Sequence, residues 1–291
     1  MSASAIETQA VISQLMIYPI KSCAPVALNQ VALTDQGLDL DRTWMVVDER
    51  GQFVSQRERP RLALVQPQLR QTDLVLRAPG MLSLHLTLEG VEGPMKVWLW
   101  DEPIDAWDMG PVAAQWFSDF LGQAVRLVRF DPQFERASDR RWTGGHTVLN
   151  TFGDGFPLML LGQPSLDALN ARLQQAGQTP VDLLRFRPNI VLSPATTGQW
   201  QAHDEDRAEA MTVATEQGPV RLQPVKPCSR CQMVDVDPQT GQAGAGVLQT
   251  LRSYRADPKL DGAISFGMNL RVVEGFDAVL AVGQQVQVRM R

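Results

Sequence analysis

Two cysteines, Cys228 and Cys231, stand three positions apart in KPCSRCQMVDVDPQTG (226–241), in a chain with only one other, Cys23. A Cys-x-x-Cys pair suits structural zinc, thiol redox chemistry or a buried inert pair. Structural zinc takes four ligands, and His85, His146, His203 and Cys23 are scattered along the chain rather than paired. A thioredoxin-type pair sits where a strand meets a helix whose N-terminus lowers a thiol pKa. Here QMVDV reads as a continuing strand. The intervening Ser229 and Arg230 are polar, which fits a pocket wall better than a core. At least one thiolate is therefore expected to bind a ligand.

A second set of residues could complete such a pocket. Lys21 and Ser22 follow a strand in MIYPIKSC, Arg42 lies in LDRTW, Arg57 in VSQRERP, and Arg187 and Asn189 in RFRPN. Taken singly, each suits a solvated charge or an ion-pair partner. If they converge, they form an anion pocket with fork-shaped donors for phosphate and amide groups for a polar ring, beside a soft thiolate. A phosphorylated organic ligand carrying a thiophilic metal would fit.

The elements that must position these residues are mostly strands. VISQLMIYPI, the TWMVVDERGQFVSQ hairpin, RLALVQP, DLVLRA, LSLHLTL and MKVWLW alternate with period two between turn residues. Val112, Trp116, Phe117, Phe120 and Leu121 recur at helical spacing and predict a short helix at the seam of two halves, divided into 12–124 and 125–291. In the second half, Ser165 is the expected N-cap of LDALNARLQQ. VRLVRF, PLMLL, FRPNIVLS, MTVAT, PVRLQPV, CQMVDV, NLRVVE and VLAVGQQVQVRM read as strands of a barrel or rolled sheet. The expected class is mainly β with a few helices (α+β).

With 44% hydrophobic residues over 291 positions, the chain can bury sizeable cores. Twenty-seven basic against thirty-two acidic residues give a net charge of -5, which excludes a broad nucleic-acid or anionic-membrane surface. Any anion must meet a local basic pocket. MSASAIETQAVISQ has neither a basic nor an apolar targeting region, and no stretch is apolar enough to span a membrane. A soluble, cytoplasmic protein with reduced thiols is expected.

YPIKSC, GLDLDRTWMVVDERGQFV, RFRPNIVLS, KPCSRCQMVDVDPQTG, LQTLRSYR and ISFGMNL, in this order from about Leu15 onward, resemble the MOSC-domain molybdenum proteins, the YcbX-like and mitochondrial amidoxime-reducing component group. The resemblance implies an N-terminal MOSC β-barrel-like domain packed on a C-terminal MOSC β-barrel. It implies that Cys231 is the molybdenum ligand and Cys228 is not. Lys21, Ser22, Arg42, Arg187, Asn189, Ser229 and Arg230 would then hold the molybdopterin of the molybdenum cofactor, with Arg57 the loosest match.

The activity implied is oxygen-atom transfer from N-hydroxylated compounds. Protein groups supply binding, orientation and electrostatics around the cofactor. Asp237 is first of all a turn residue in Asp-Pro-x-x-Gly, and no general acid stands out. No iron–sulfur cluster is expected, because Cys23 and Cys228 are two short of the four thiolates such a cluster takes. Pyridoxal phosphate is not expected either. Electrons would come from a separate flavin or iron–sulfur reductase. A non-enzymatic cofactor or sulfur carrier using the same pocket, and a zinc-stapled interaction module, are the alternatives.

Overall fold

The computed structural model describes residues 7–196 and 198–291. The expectation that the opening residues carry no targeting segment falls partly on residues 1–6, which lie outside the described residues. The first half runs β1 (Glu7–Ile17), β2 (Val26–Leu28), β3 (Gln30–Thr34), β4 (Gly37–Leu38), β5 (Trp44–Asp48), β6 (Gln66–Leu69), β7 (Asp73–Arg77), β8 (Leu84–Thr87), β9 (Gly93–Leu99), β10 (Glu102–Asp108), α1 (Pro111–Leu121) and β11 (Val125–Phe130). The second runs β12 (Leu158–Gly162), α2 (Gln163–Gln175), β13 (Ile190–Pro194), β14 (Ala208–Thr215), β15 (Gly218–Ser229), α3 (Val247–Arg252), β16 (Ser265–Glu274), β17 (Val279–Ala281) and β18 (Gln285–Met290). The class is mainly β with few helices, as expected.

Strand pairing does not follow a cut at residue 125. β1 pairs with β18 on one side and with β13 on the other. That second pairing closes the order β13-β12-β16-β15-β14-β18-β1 into a seven-stranded barrel. Closure leaves no free edge along its length. β11, which reads as the opening strand of the second half, instead joins β5 and β10 in the sheet β5-β11-β10-β9. Its strand β5 is buried on both faces. Trp44 and Val46 meet the helix α1 through Trp116, Phe117 and Phe120, while Met45 and Val47 meet Val97, Val128 and Phe152. This is why TWMVV is apolar at every position rather than at every second one.

α1 starts with Pro111 and stops at Gly122, whose φ of 65° is the left-handed cap glycine reaches without a Cβ clash. It packs into the first half rather than lying at a seam. Ser165 is not the N-cap of α2. Gly162 is, and the Ser165 hydroxyl donates to the Glu205 carboxylate at 2.8 Å. Leu166, Leu169 and Leu173 do form its buried face. RLALVQP begins as a 3-10 turn over Pro60–Leu64, because proline at its first position favours helical φ and withholds a strand hydrogen bond.

One irregularity in β1 decides which side chains reach the pocket. Ile12 pairs with Leu192, yet Gln14 pairs with Val191, so Ser13 is an extra residue in the strand. Ala10 and Ile12 point into the barrel before it, and Leu15 and Ile17 after it. The bulge thus inverts the alternation, and Met16 and Tyr18 face outward into a separate cluster with Met159, Phe186 and Phe266.

Candidate functional site

Between the barrel and the first half lies a pocket open to solvent, with about 830 Å³ of empty space when that open solvent is counted. Lys21, Ser22, Arg42, Arg187, Asn189, Ser229, Arg230 and Cys231 all line it. Arg57 does not. Its guanidinium stacks 4.4 Å from the ring centroid of Trp100, which does line the pocket.

Three of the gathered residues sit in left-handed backbone: Ser22 at φ 71°, Arg42 at 50° and Arg187 at 56°. Non-glycine residues rarely adopt it, and such strain concentrates where a side chain must be aimed. Arg42 hydrogen-bonds the Asp41 carboxylate, the Asn189 Oδ1 at 3.1 Å and the Arg187 carbonyl at 3.2 Å. Asp41 also accepts from the Tyr18 amide at 2.7 Å. The Tyr18 ring lies under both arginines, 4.8 Å from the Arg42 guanidinium and 4.1 Å from that of Arg187. Burial pushes the Tyr18 hydroxyl pKa up, more than the Arg187 and Arg42 charges lower it, so the ring is a neutral platform.

Asn189 is a brace as well as a wall. Its Oδ1 accepts from the Met159 amide at 3.1 Å as well as from Arg42, and its Nδ2 donates to the Met16 carbonyl at 3.2 Å, leaving one amide hydrogen for a ligand. Arg230 is committed likewise, donating to the Phe266 carbonyl at 2.8 and 2.6 Å and to the Phe186 carbonyl at 2.9 Å. Arg187 differs. One terminal nitrogen donates to the Cys23 carbonyl at 2.8 Å, while the other, Nη2, is buried with no partner among the described residues. An unpaired buried guanidinium nitrogen costs stability unless a ligand accepts from it.

Lys21 is buried, and its ammonium donates to the Phe152 carbonyl at 2.8 Å and to Asp154 at 2.5 Å. Burial lowers its pKa to about 8, although Asp154 opposes the shift. Asp154, whose side chain is exposed at the pocket, is held at about 2, chiefly by the Lys21 charge and hydrogen bond and then by Arg42. The connection carrying Phe152 and Asp154 is pinned by Arg136, whose Nη1 gathers the carbonyls of Thr151 at 2.8 Å and Gly153 at 2.6 Å.

The two cysteines of the motif are unequal. Both line the pocket, but Cys231 is exposed whereas Cys228 is partly buried against the Phe186 and Phe266 cluster, and burial raises its pKa. QMVDV is not a strand. β15 ends at Ser229 and Gln232–Asp235 form a 3-10 turn, because the Asp235 carboxylate accepts from the amides of Val247 and Leu248 at 2.9 and 3.2 Å and draws the chain toward α3. The buried Val234 and Val236 imitate strand alternation. Asp237 is the turn residue its motif suggests, accepting from Gln239 and Thr240 amides at 2.8 and 3.1 Å.

Tyr18, Asp41, Asp154 and Arg136 were not legible as site residues; only the bulge in β1 and the crossing of long connections bring them in. The donor set fits an anionic, phosphate-bearing ligand with a soft metal: Lys21 and Arg187 line the pocket, Arg42 and Arg230 add fixed positive charge, and the Cys231 thiol is exposed there. Among the described residues no three of His, Cys, Asp and Glu lie close enough together to hold one metal ion. Among them, too, no helix is long and apolar enough to cross a membrane.

Residues 9–124 match the family model of the MOSC N-terminal beta barrel domain, and residues 148–287 match that of the MOSC domain. The chain is 35% identical over 262 residues to mitochondrial amidoxime reducing component 2 of Rattus norvegicus, covering 86% of this chain and 74% of that protein. It is 34% identical over 258 residues to mitochondrial amidoxime-reducing component 1 of Mus musculus, covering 85% and 72%. Against molybdenum cofactor sulfurase of Bos taurus the identity is 29% over 296 residues, 95% of this chain but about a third (32%) of that protein. With both family models in order and such identity along most of its length, the chain belongs to the MOSC-domain family that includes the mitochondrial amidoxime-reducing components.

Proposed function

We propose that this chain is a molybdenum-cofactor-dependent reductase of N-hydroxylated compounds. The observation that carries the reading is the convergence of Lys21, Arg42, Arg187 and Arg230 around one pocket with an exposed Cys231 thiol, in a chain of net charge -5. Such a donor set selects a phosphate-bearing ligand with a thiophilic metal, and the names of the amidoxime-reducing relatives supply the substrate class.

In this reading, Cys231 Sγ is the protein's metal ligand. The Lys21 ammonium and the Arg187 Nη2 donate to phosphate or pterin oxygens, with Ser22, Ser229 and the remaining Asn189 amide hydrogen beside them. Asp41 and Asn189 orient Arg42, the Phe266 and Phe186 carbonyls orient Arg230, and the Tyr18 ring supports the Arg42 and Arg187 guanidinium planes. The cofactor, when bound, supplies the two-electron reduction that cleaves an N–O bond and releases water and the amine or amidine. Electrons come from a separate reductase. The Cys23 thiol is fully buried, with a pKa pushed up to about 12 by that burial, and serves no cluster with Cys228 and Cys231.

The match to part of a cofactor sulfurase favours a second reading, in which the same pocket holds cofactor without turning it over. Purified protein loaded with cofactor should contain molybdenum rather than zinc and convert benzamidoxime to benzamidine with reduced methyl viologen, and with NADH only after a reductase is added. Molybdenum without turnover of any N-hydroxylated compound supports the carrier. Stoichiometric zinc defeats both.

A further inference from the structure

One wall of the pocket is aromatic. Phe53, from the hairpin after β5, and Trp100, from the turn between β9 and β10, line it with ring centroids 5.3 Å apart and planes at 90°. Lys21 Nζ lies 5.1 Å from the Phe53 centroid and the Arg57 guanidinium 4.4 Å from that of Trp100. Cation and ring thus alternate from the buried lysine to the exposed arginine.

Trp100 is an unusual residue for its place. It is one of two residues between the paired Leu99 and Glu102, and its φ is 59°. The tip of a two-residue hairpin in left-handed backbone is where Gly, Asn or Asp cost least, and a bulky residue there is uncommon. Its side chain is also not buried, at 43% exposure, so it contributes little to the core. A large ring kept on unfavourable backbone, half in water and braced by a cation, is explained by what enters the pocket beside it.

Resting on the reading of this pocket as a site for N-hydroxylated compounds, we propose that Trp100 and Phe53 form its substrate-recognition wall. The wall favours flat, aryl-conjugated substrates over small alkyl ones, and Arg57 is a positioning residue that keeps the Trp100 ring at the mouth. Aromatic contacts add to affinity beyond area burial, and an alkyl amidoxime lacks the ring to make them. Arg57 is then not a cofactor contact, in keeping with its absence from the pocket lining.

Trp100→Gly is the fold-safe test, since glycine removes the ring and tolerates the positive φ. Calorimetric titration of the purified protein with benzamidoxime should show roughly tenfold weaker binding in Trp100→Gly and affinity restored in Trp100→Phe. In loaded enzyme the benzamidoxime-to-acetamidoxime ratio of kcat/KM should fall by a similar factor. Arg57→Ala should raise KM for benzamidoxime, with that for acetamidoxime moving less than about twofold, a split that general loosening of the fold would not produce. Equal benzamidoxime affinity in wild type and Trp100→Gly overturns the wall. Wild-type enzyme that binds benzamidoxime but reduces neither compound defeats the proposed reduction, and the affinity comparison still decides the wall.

Discussion

The floor of the pocket and its rim hold their side chains by different means. On the floor, Arg42, Asn189 and Arg230 are tied by directional hydrogen bonds to the Asp41 carboxylate and to carbonyls of Met16, Phe186, Arg187 and Phe266. At the rim, Trp100 and Arg57 are held by stacking, and Phe53 by stacking, the Lys21 ammonium and packing on the Met45, Val47 and Val97 cluster. Charge-assisted hydrogen bonds fix an atom in place, whereas stacked rings fix a plane and still slide within it. In the proposed reading, positive charge that meets a defined anion is anchored to a carboxylate and to backbone carbonyls, and the surface that meets variable organic molecules is left more adaptable.

The contrast breaks most visibly at Cys231. Cys231→Ser is expected to abolish benzamidoxime reduction and to leave the purified protein nearly free of molybdenum by metal analysis, because a hydroxyl is a poor ligand for a soft metal. Cys228→Ser should keep most of both, since that thiol, although at the pocket wall, is partly buried against the Phe186 and Phe266 cluster. Equal loss in the two variants would mean that the pair acts as one unit.

Next in size is the floor itself. Arg42→Ala leaves the buried Asp41 carboxylate without its cation and should cost about 3–5 kcal/mol in urea unfolding, besides losing cofactor. Arg187→Ala should lose cofactor with much less destabilisation, because one of its nitrogens has no partner to begin with. If the two variants unfold alike, the division into braces and free donors is wrong.

A smaller effect follows from Lys21. Its pKa is lowered to about 8 in the folded protein against about 10.4 in the unfolded chain, so between these values the unfolded state binds more protons. The Lys21 contribution therefore makes the ligand-free protein more stable as pH rises from about 8 to about 10.4. Affinity for an anion that needs the ammonium moves the opposite way, flat below about 8 and falling above it. Measured with inorganic phosphate, that fall should vanish in Lys21→Arg, whose charge persists. The smallest expected change is in the melting temperature of Trp100→Gly, which should stay near wild type or rise slightly, because the rim adds little to the core.

Much of this was legible from residues alone. Strands announced themselves where one face is buried, and β5 stood out because both its faces are. The pocket residues were legible as types and motifs, since Cys-Ser-Arg-Cys beside scattered Arg and Lys carries a chemical meaning independent of fold. Their aim was not. Nothing in VISQLMIYPI marks Ser13 as an extra residue, so Tyr18 reads as another alternating position instead of the platform beneath two arginines. The turn at Gln232–Asp235 was hidden because two buried valines copy a strand, and only the Asp235 bonds to α3 distinguish the two. Arg136 and Asp154 lie in a connection whose shape depends on contacts distant in sequence.

The closure of the barrel by β1 bears on when the pocket comes into being during synthesis. Glu7 pairs with Arg289 and Val11 with Gln285, so the strand leading to Lys21 and Ser22 cannot settle until β18 has left the ribosome. Contacts this far apart in sequence form late and slow folding. Before then Lys21 and Arg42 have no fixed relation to Arg187 and Arg230, and a nascent chain offers an anionic cofactor separate charges rather than a pocket. In the proposed reading, cofactor loading therefore follows closure of the barrel.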